Sequence, residues 1–443
     1  MRQASLITTT ARRLAFAASC TLLAAPGHAN APDLSLVPSP RPSVAQSEEP
    51  ARPALRPATT ALTAAEELAR PSGRFSDWID GFRTRALRAG ITAETFDAAF
   101  AGITLNSTVL ERDRNQSEFS RALWDYLDSA VSSTRIGNGR RALQEHRAAL
   151  AEIARIYRVE AEVVAAIWGL ESAYGAVRGD TNIIEAMATL AYDGRRNAFF
   201  ETQLLAALRI LQDGDISRSQ MTGSWAGAMG HTQFMPTSFL DYAVDQTGDG
   251  RRDIWSDNPI DALASTANYL REFGWTYGQP WGLEVALPDG FDYAQTGERF
   301  KRPARYWNTR NVRLVSGERV TDHGPASILL PAGAEGVALV IFDNFHVIER
   351  YNPADAYVIA VGLLSDRILG GPAFDGTGPR QDRALSFDER QELQRRLTRV
   401  GFSPGRVDGI IGPNTIDAVR RYQQSEGLLP DGYAALAILD RLR

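Results

Sequence analysis

Cysteine occurs once in the 443 residues, at Cys20, which excludes a disulfide framework. Histidine is nearly as scarce, and its five scattered copies offer no zinc-finger spacing. An excess of positive charge is also missing. A net charge of −5 and a pI near 5.7 leave no electrostatic footprint for nucleic acid. The apolar run Leu14–Ala25 is too short to cross a bilayer as a helix. What remains, 44% hydrophobic and 23% charged, is an ordinary globular composition, long enough for two or three domains.

The first 29 residues read as a secretory signal. Arg12 and Arg13 precede the apolar run, and small residues lead to Gly27-His28-Ala29, with cleavage expected after Ala29. Cys20 would suit a lipid-anchored, outer-membrane alternative, but Ala17-Ala18-Ser19 lacks the leucine such a signal carries. The plainer reading removes Cys20 with the signal. The paired arginines fit the twin-arginine route poorly. Residues 30–73 are rich in Pro, Ala and Ser and cannot bury enough surface to offset their ordering entropy, which predicts a disordered linker.

The folded chain is organised around Val163–Gly175, VVAAIWGLESAYG, whose single carboxylate is Glu171. Val164, Ile167, Trp168 and Tyr174 fall at i−7, i−4, i−3 and i+3 from it, so the spacing puts Glu171 in an apolar stripe. A carboxylate held among apolar groups is expected to keep its proton and to serve as an acid near neutral pH. On this helix alone the alternative is a structural glutamate paired with an arginine such as Arg178. Helical periods flank it at Phe75–Leu87, Phe96–Phe100 behind an N-cap Thr92, Ser117–Val131, Gly137–Tyr157, Ile183–Tyr192, Ala198–Asp213 and Ala262–Gly274. Short strands are expected at Leu283–Leu287, Val312–Leu314 and Ala338–Ile341, and another helix at Asp355–Leu363, so the lobe is mainly α (α+β).

Two loops carry chemistry. Gly223–Pro236, GSWAGAMGHTQFMP, mixes glycines with Ser224, His231, Thr232, Gln233, Trp225 and Phe234. That combination allows close backbone approach and suits sugar faces and hydroxyls, with a tightly packed turn as the structural alternative. Asp245–Asp261, DQTGDGRRDIWSDNPID, places Asp245, Thr247 and Asp249 at calcium-loop positions 1, 3 and 5. Gly250 takes the sharp turn, and the Arg251 carbonyl and Asp253 fall at positions 7 and 9. Ser256 stands where a closing glutamate belongs, so Asp257 or Asp261 would have to close a longer loop. An acidic surface turn without metal is the alternative. Residues 370–384 read as a linker. The tail, 385–443, is a separate unit of three helices, at Asp388–Val400, Pro413–Glu426 and Tyr433–Leu442.

With these residues assembled, the chain from about Phe75 to Arg367 resembles the family B lytic murein transglycosylases. The resemblance rests on WGLESAYG, GSWAGAMGHTQFMP, TGDGRRDIW and RYNPADAYVIAVGLL. LQRRLTRVGFSPGRVDGIIGPNTIDAVRRYQ resembles a peptidoglycan-binding module. The resemblance implies a lysozyme-like catalytic domain over 74–369, with a helical N-terminal lobe, acting in the periplasm. Glu171 would be the sole catalytic acid/base, cleaving the MurNAc–GlcNAc β-1,4 bond with formation of 1,6-anhydro ends. It further implies substrate contacts from Tyr126, Ser224, Gln233, Tyr269, Tyr351, Asn352 and Tyr357. His231 departs from the tyrosine expected there and is assigned no catalytic role. A structural Ca²⁺ would be held by Asp245, Thr247, Asp249, Arg251 and Asp261, the last matching the closing carboxylate, with no cofactor needed for chemistry. Implied partners are peptidoglycan strands and cell-wall synthesis or secretion-system proteins, for a monomer. The competing readings are a hydrolytic muramidase of the same fold and an inactive wall-binding scaffold.

Overall fold

The computed structural model describes residues 73–114, 122–194, 196–376, 378–380 and 382–443. The expected signal segment, Cys20 and the linker up to residue 72 lie outside the described residues, as does the start of the helix expected from Ser117. Among the described residues no helix is long and apolar enough to cross a membrane.

Helix Ala161–Ser172 is the spine of the molecule. Every residue from Val163 to Trp168 is buried, so the helix is apolar on all sides and not along one stripe, as befits an element sunk within a bundle. Helices Ser133–Glu145 and Asp355–Leu369 pack along it. Gly169 permits a close approach, since a Cβ there would lie 2.5 Å from the ring of Tyr174. The helix stops where Ala173 and Tyr174 take left-handed dihedrals, φ 50° and 60°. Such dihedrals cost a non-glycine residue about 1–2 kcal/mol each. Tyr174 is therefore not on the helix at i+3 from Glu171. It folds back over Gly169 and donates its hydroxyl to the Arg135 carbonyl at 2.9 Å.

The single helix expected over Gly137–Tyr157 is two, Ser133–Glu145 and Arg147–Tyr157. The break falls at His146 (φ −104°, ψ 21°), whose ring sits edge-on to Trp168 at 5.4 Å. Thr92 does cap helix Ala93–Phe100, accepting from the Thr95 amide at 3.1 Å.

The sheet lobe is antiparallel, its strands ordered Arg302–Pro303, Pro325–Leu329, Leu339–Ile341, Gly282–Ala286, Arg313–Leu314. Val285, Ile328, Val340 and Phe342 of this lobe close on the fully buried Trp307 to form its own core. Strands Arg302–Pro303 and Pro325–Leu329, and helices Ser107–Arg114, Pro236–Tyr242, Ala304–Thr309 and Asp343–Tyr351, lie in stretches where the sequence pattern predicts no such element. Helix Asp355–Leu369 runs further than its apolar period foretells.

The linker is strapped down. Glu284 accepts from the amides of Asp375 and Gly376 at 2.9 and 2.7 Å, and Trp124 Nε1 donates to the Gly378 carbonyl at 3.0 Å. The tail folds as helices Phe387–Arg399, Pro413–Ser425 and Leu436–Leu442 around Leu393, Leu397, Val419 and Leu439. Ser386 and Glu389 start it with a reciprocal capping box. The third helix begins at Leu436, later than the Tyr433 that the periodicity suggests.

Candidate active site

Glu171 lies one residue before the end of the spine helix, where burial gives way to partial exposure. The Tyr357 hydroxyl donates to its Oε1 at 2.7 Å. Tyr357 is itself buried on helix Asp355–Leu369, so its hydroxyl holds the carboxylate from a rigid neighbour. Glu171 is thus half-buried at the rim of the apolar core and not deep in a stripe. Arg178 is not its partner. That guanidinium donates to the Trp255 and Ser256 carbonyls at 2.8 Å each and to Asp257 at 2.8 Å.

The neighbour of Glu171 in the chain ties this corner to the glycine-rich loop. Ser172 Oγ donates to the His231 carbonyl at 2.5 Å, and Trp168 Nε1 donates to His231 Nδ1 at 3.1 Å. With Nδ1 accepting, Nε2 carries the proton toward the Ser256 carbonyl, 2.7 Å away. Burial pushes the His231 pKa below its ordinary value, which favours the neutral ring. His231 therefore joins the spine helix, the glycine-rich loop and the acidic loop. Sequence reasoning gives it no role, and nothing local to it signals the bridge.

The loop is built from backbone as much as from side chains. Ser224 and Ala228 exchange bonds, Ser224 N to Ala228 O at 2.8 Å and Ala228 N to Ser224 Oγ at 3.0 Å. Gln233, at φ 55°, donates its amide to the Gly230 and Arg178 carbonyls at 2.9 and 3.1 Å. Gly230, at φ 69°, sits so close to the next segment that a Cβ would meet the Ile254 carbonyl oxygen at 2.2 Å.

The expected substrate residues separate into two groups. Tyr269 and Tyr351 are buried, their hydroxyls donating to the Arg350 and Thr232 carbonyls. Their rings meet at 5.1 Å, and both tilt against Phe234. As placed, these two brace the loop, through the Thr232 carbonyl and the Phe234 ring. Asn352 is half-buried and accepts from the Ala354 amide at 3.1 Å, ordering the entry to helix Asp355–Leu369. Tyr126 is half-buried on helix Leu123–Ala130, which packs on that same helix.

The acidic loop converges. Carboxylate oxygens of Asp245, Asp249 and Asp261 lie within 4.8 Å of one another. Asp245 is ringed by the amides of Gly248, Asp249 and Gly250, at 2.7–3.2 Å. Asp261 is 2% exposed and accepts from the amides of Gln246, Thr247 and Asp253. Burial pushes its carboxyl up to about 6. A buried carboxylate beside two others fits a hard cation, and oxygen donors of this kind fit calcium. Thr247 turns its hydroxyl to Asp245 at 3.4 Å, while Arg251 donates its amide to Asp249 at 2.9 Å. Asp253 and Asp257 are engaged elsewhere, with the Trp255 and Ser256 amides and with Arg178.

A half-buried glutamate ending a core helix, set against a glycine-rich loop in a largely helical domain, defines a lysozyme-like enzyme. The chain belongs to the transglycosylase SLT domain family, whose model matches residues 74–366, and residues 387–442 match a peptidoglycan binding domain. It is similar to the membrane-bound lytic murein transglycosylase B of Escherichia coli, 32% identical over 250 residues, which are 55% of this chain and 66% of that protein. Crystal structures of SltB3 from Pseudomonas aeruginosa, in complex with NAG-NAM-pentapeptide and with NAG-anhNAM-pentapeptide, superpose with a TM-score of 0.81 at 50% identity. They cover 83% of this chain and 99% of that one. The lytic transglycosylase Slt35 of Escherichia coli in complex with calcium matches with a TM-score of 0.58 at 28% identity, over 66% of this chain and 92% of that one.

Proposed function

We propose that the protein is a periplasmic lytic transglycosylase that cleaves the MurNAc–GlcNAc β-1,4 bond of peptidoglycan and leaves 1,6-anhydro-MurNAc ends. The observation that carries this is a half-buried glutamate, Glu171, held by Tyr357, whose chain neighbour Ser172 bonds the His231 carbonyl of the glycine-rich loop. In its acid form Glu171 donates a proton to the glycosidic oxygen as the bond to C1 breaks. The substrate's own N-acetyl oxygen takes the place of a second carboxylate at C1. Glu171, now a carboxylate, takes the proton of the C6 hydroxyl, and O6 closes on C1. No water is consumed, and intramolecular attack has the entropic advantage over solvent. The complex of SltB3 with NAG-anhNAM-pentapeptide supports this reading.

Around that centre, Tyr126, Ser224, Gln233, Asn352 and Tyr357 line the path of the strand, with Tyr269 and Tyr351 bracing it. A calcium ion on Asp245, Asp249 and Asp261, joined by Thr247 and the Arg251 carbonyl, stiffens the loop whose Ser256 and Asp257 hold His231 and Arg178. It takes no part in the bond-breaking step. The catalytic domain spans 74–369, and the unit at 385–443 grips the wall polymer.

Digestion of purified sacculi tests the proposal. The wild-type chain is expected to release muropeptides that lack the mass of one water, and Glu171→Gln to lose at least about a thousandfold in rate while still binding sacculi. Products carrying the full mass would instead mark a hydrolytic muramidase, and equal remodelling by both proteins a scaffold.

A further inference from the structure

A cavity of about 410 Å³ opens at the seam between the sheet lobe and the tail helices. Arg299 supplies the wall from the sheet lobe, and Gly405, Arg406, Ile410, Pro413 and Asn414 are among those facing it from the tail. The volume lies in the range of small-ligand pockets. The seam is fixed by direct bonds. Buried Arg420 donates to Thr296 Oγ1 at 2.9 Å, the Ala334 amide to Asp431 at 3.0 Å, and Arg299 to Asn414 Oδ1 at 3.3 Å.

The charge of this cavity is unbalanced. Among the described residues neither Arg299 nor Arg406 is ion-paired, whereas Arg396, Arg420 and Arg443 of the tail are. Asp408, the acidic residue of the lining, spends Oδ1 on Gln394 Nε2 and the Ile410 amide, both at 2.9 Å. Helix Pro413–Ser425 starts at the cavity with Gly412 as an N-cap that has no side chain, so its positive end is left facing the opening. Among the described residues no aromatic ring lines the cavity, and sugar recognition relies on such faces. Guanidinium forks, by contrast, match carboxylates, and the glycine and proline backbone leaves room for a peptide.

We infer that this seam is a second binding site, distinct from the Glu171 groove, which takes the free carboxylate end of a wall stem peptide. The tail cannot form it alone, because Arg299 belongs to the other lobe. The inference rests on the proposed function only for the source of the peptide.

Calorimetric titration of the full chain with a synthetic stem tetrapeptide tests it, alongside the same peptide amidated at its C-terminus. Saturable binding is expected, weakened at least about tenfold by amidation, and likewise by Arg299→Ala and by Arg406→Ala. The amidated peptide needs no variant, so a misfolded substitution does not blunt the test. Absence of saturable binding, equal binding of both peptides, or indifference to both substitutions would overturn the seam site. Wild-type cleavage of peptide-free glycan strands reports separately on the proposed function. If that cleavage proceeds while the peptide fails to bind, only the seam site falls.

Discussion

Tyr357 reaches Glu171 from 186 positions further along the chain and gives it a 2.7 Å hydrogen bond. A donor fixed in a buried helix restricts the carboxylate to one side of its rotation, so the acid meets the strand in one orientation. Phenylalanine at 357 keeps the ring packing and deletes only the donor. A hydrogen bond to a charged group is worth about 1.5–3 kcal/mol, so kcat of Tyr357→Phe should fall about 10- to 100-fold with KM little changed. Steady-state kinetics on solubilised glycan strands measure this, and a rate within twofold of wild type would deny Tyr357 the positioning role.

The proposed calcium site on Asp245, Asp249 and Asp261 predicts that thermal stability depends on calcium. Calcium at about ten times its dissociation constant adds roughly 1.4 kcal/mol, or about 2 °C in Tm for a chain of this size. Asp261→Asn should abolish the increment, and a chelator should remove it from the wild type. Scanning calorimetry with and without calcium decides. An equal rise in the variant would place the ion elsewhere.

Asp355 opens helix Asp355–Leu369, and burial, followed by the charges of Glu298 and Glu349, pushes its carboxyl up to about 8. The folded chain then holds a proton that the unfolded chain releases near pH ~4. The stability this confers is complete below that value and is lost as pH rises toward 8. Asp355→Asn keeps the shape without the proton. Because the residue is half-buried the penalty is discounted, and the variant should exceed wild type at pH 8 by on the order of 2 kcal/mol, with no such gain at pH 4. Urea denaturation at the two pH values checks it. Parallel pH profiles would refute the assignment.

Gly230 has no room for a methyl group, with φ at 69° and the Ile254 carbonyl oxygen 2.2 Å from where a Cβ would sit. The neighbouring His231 amide bonds that same carbonyl at 3.0 Å. Gly230→Ala should therefore cost about 3 kcal/mol or more, lowering Tm by about 4 °C, and should displace His231 enough to depress cleavage. A variant melting within 2 °C of wild type would show that the loop yields more easily than its packing implies.

Several of these residues are legible in the sequence, and for local reasons. Glu171 announces itself as a carboxylate in an apolar helix, whereas loop spacing, with Ser256 at the closing position, leaves Asp257 and Asp261 both open and only the family resemblance selects Asp261. The structure brings Asp261 to Asp245 and Asp249, as that reading requires. His231 is opaque because its bridge spans 63 residues to Trp168 and 59 to Ser172. The break at His146 is hidden as well, since an apolar period runs unbroken through a residue that merely changes the helix direction. Strand Pro325–Leu329 is nearly all buried, a pattern that lacks the alternation by which half-exposed strands are read. Burial also explains Tyr269 and Tyr351, whose hydroxyls find backbone partners that no local pattern reveals.

The fastening of Asp375, Gly376 and Gly378 to Glu284 and Trp124 bears on how a long polymer would be handled. A loose connector would let the tail fish for wall material anywhere within reach. A clamped one, with the proposed wall-binding tail and catalytic glutamate, would act as a caliper of set span, offering a strand seated at one jaw to the other at a single spacing. Cuts would then fall at intervals dictated by the enzyme's own dimensions.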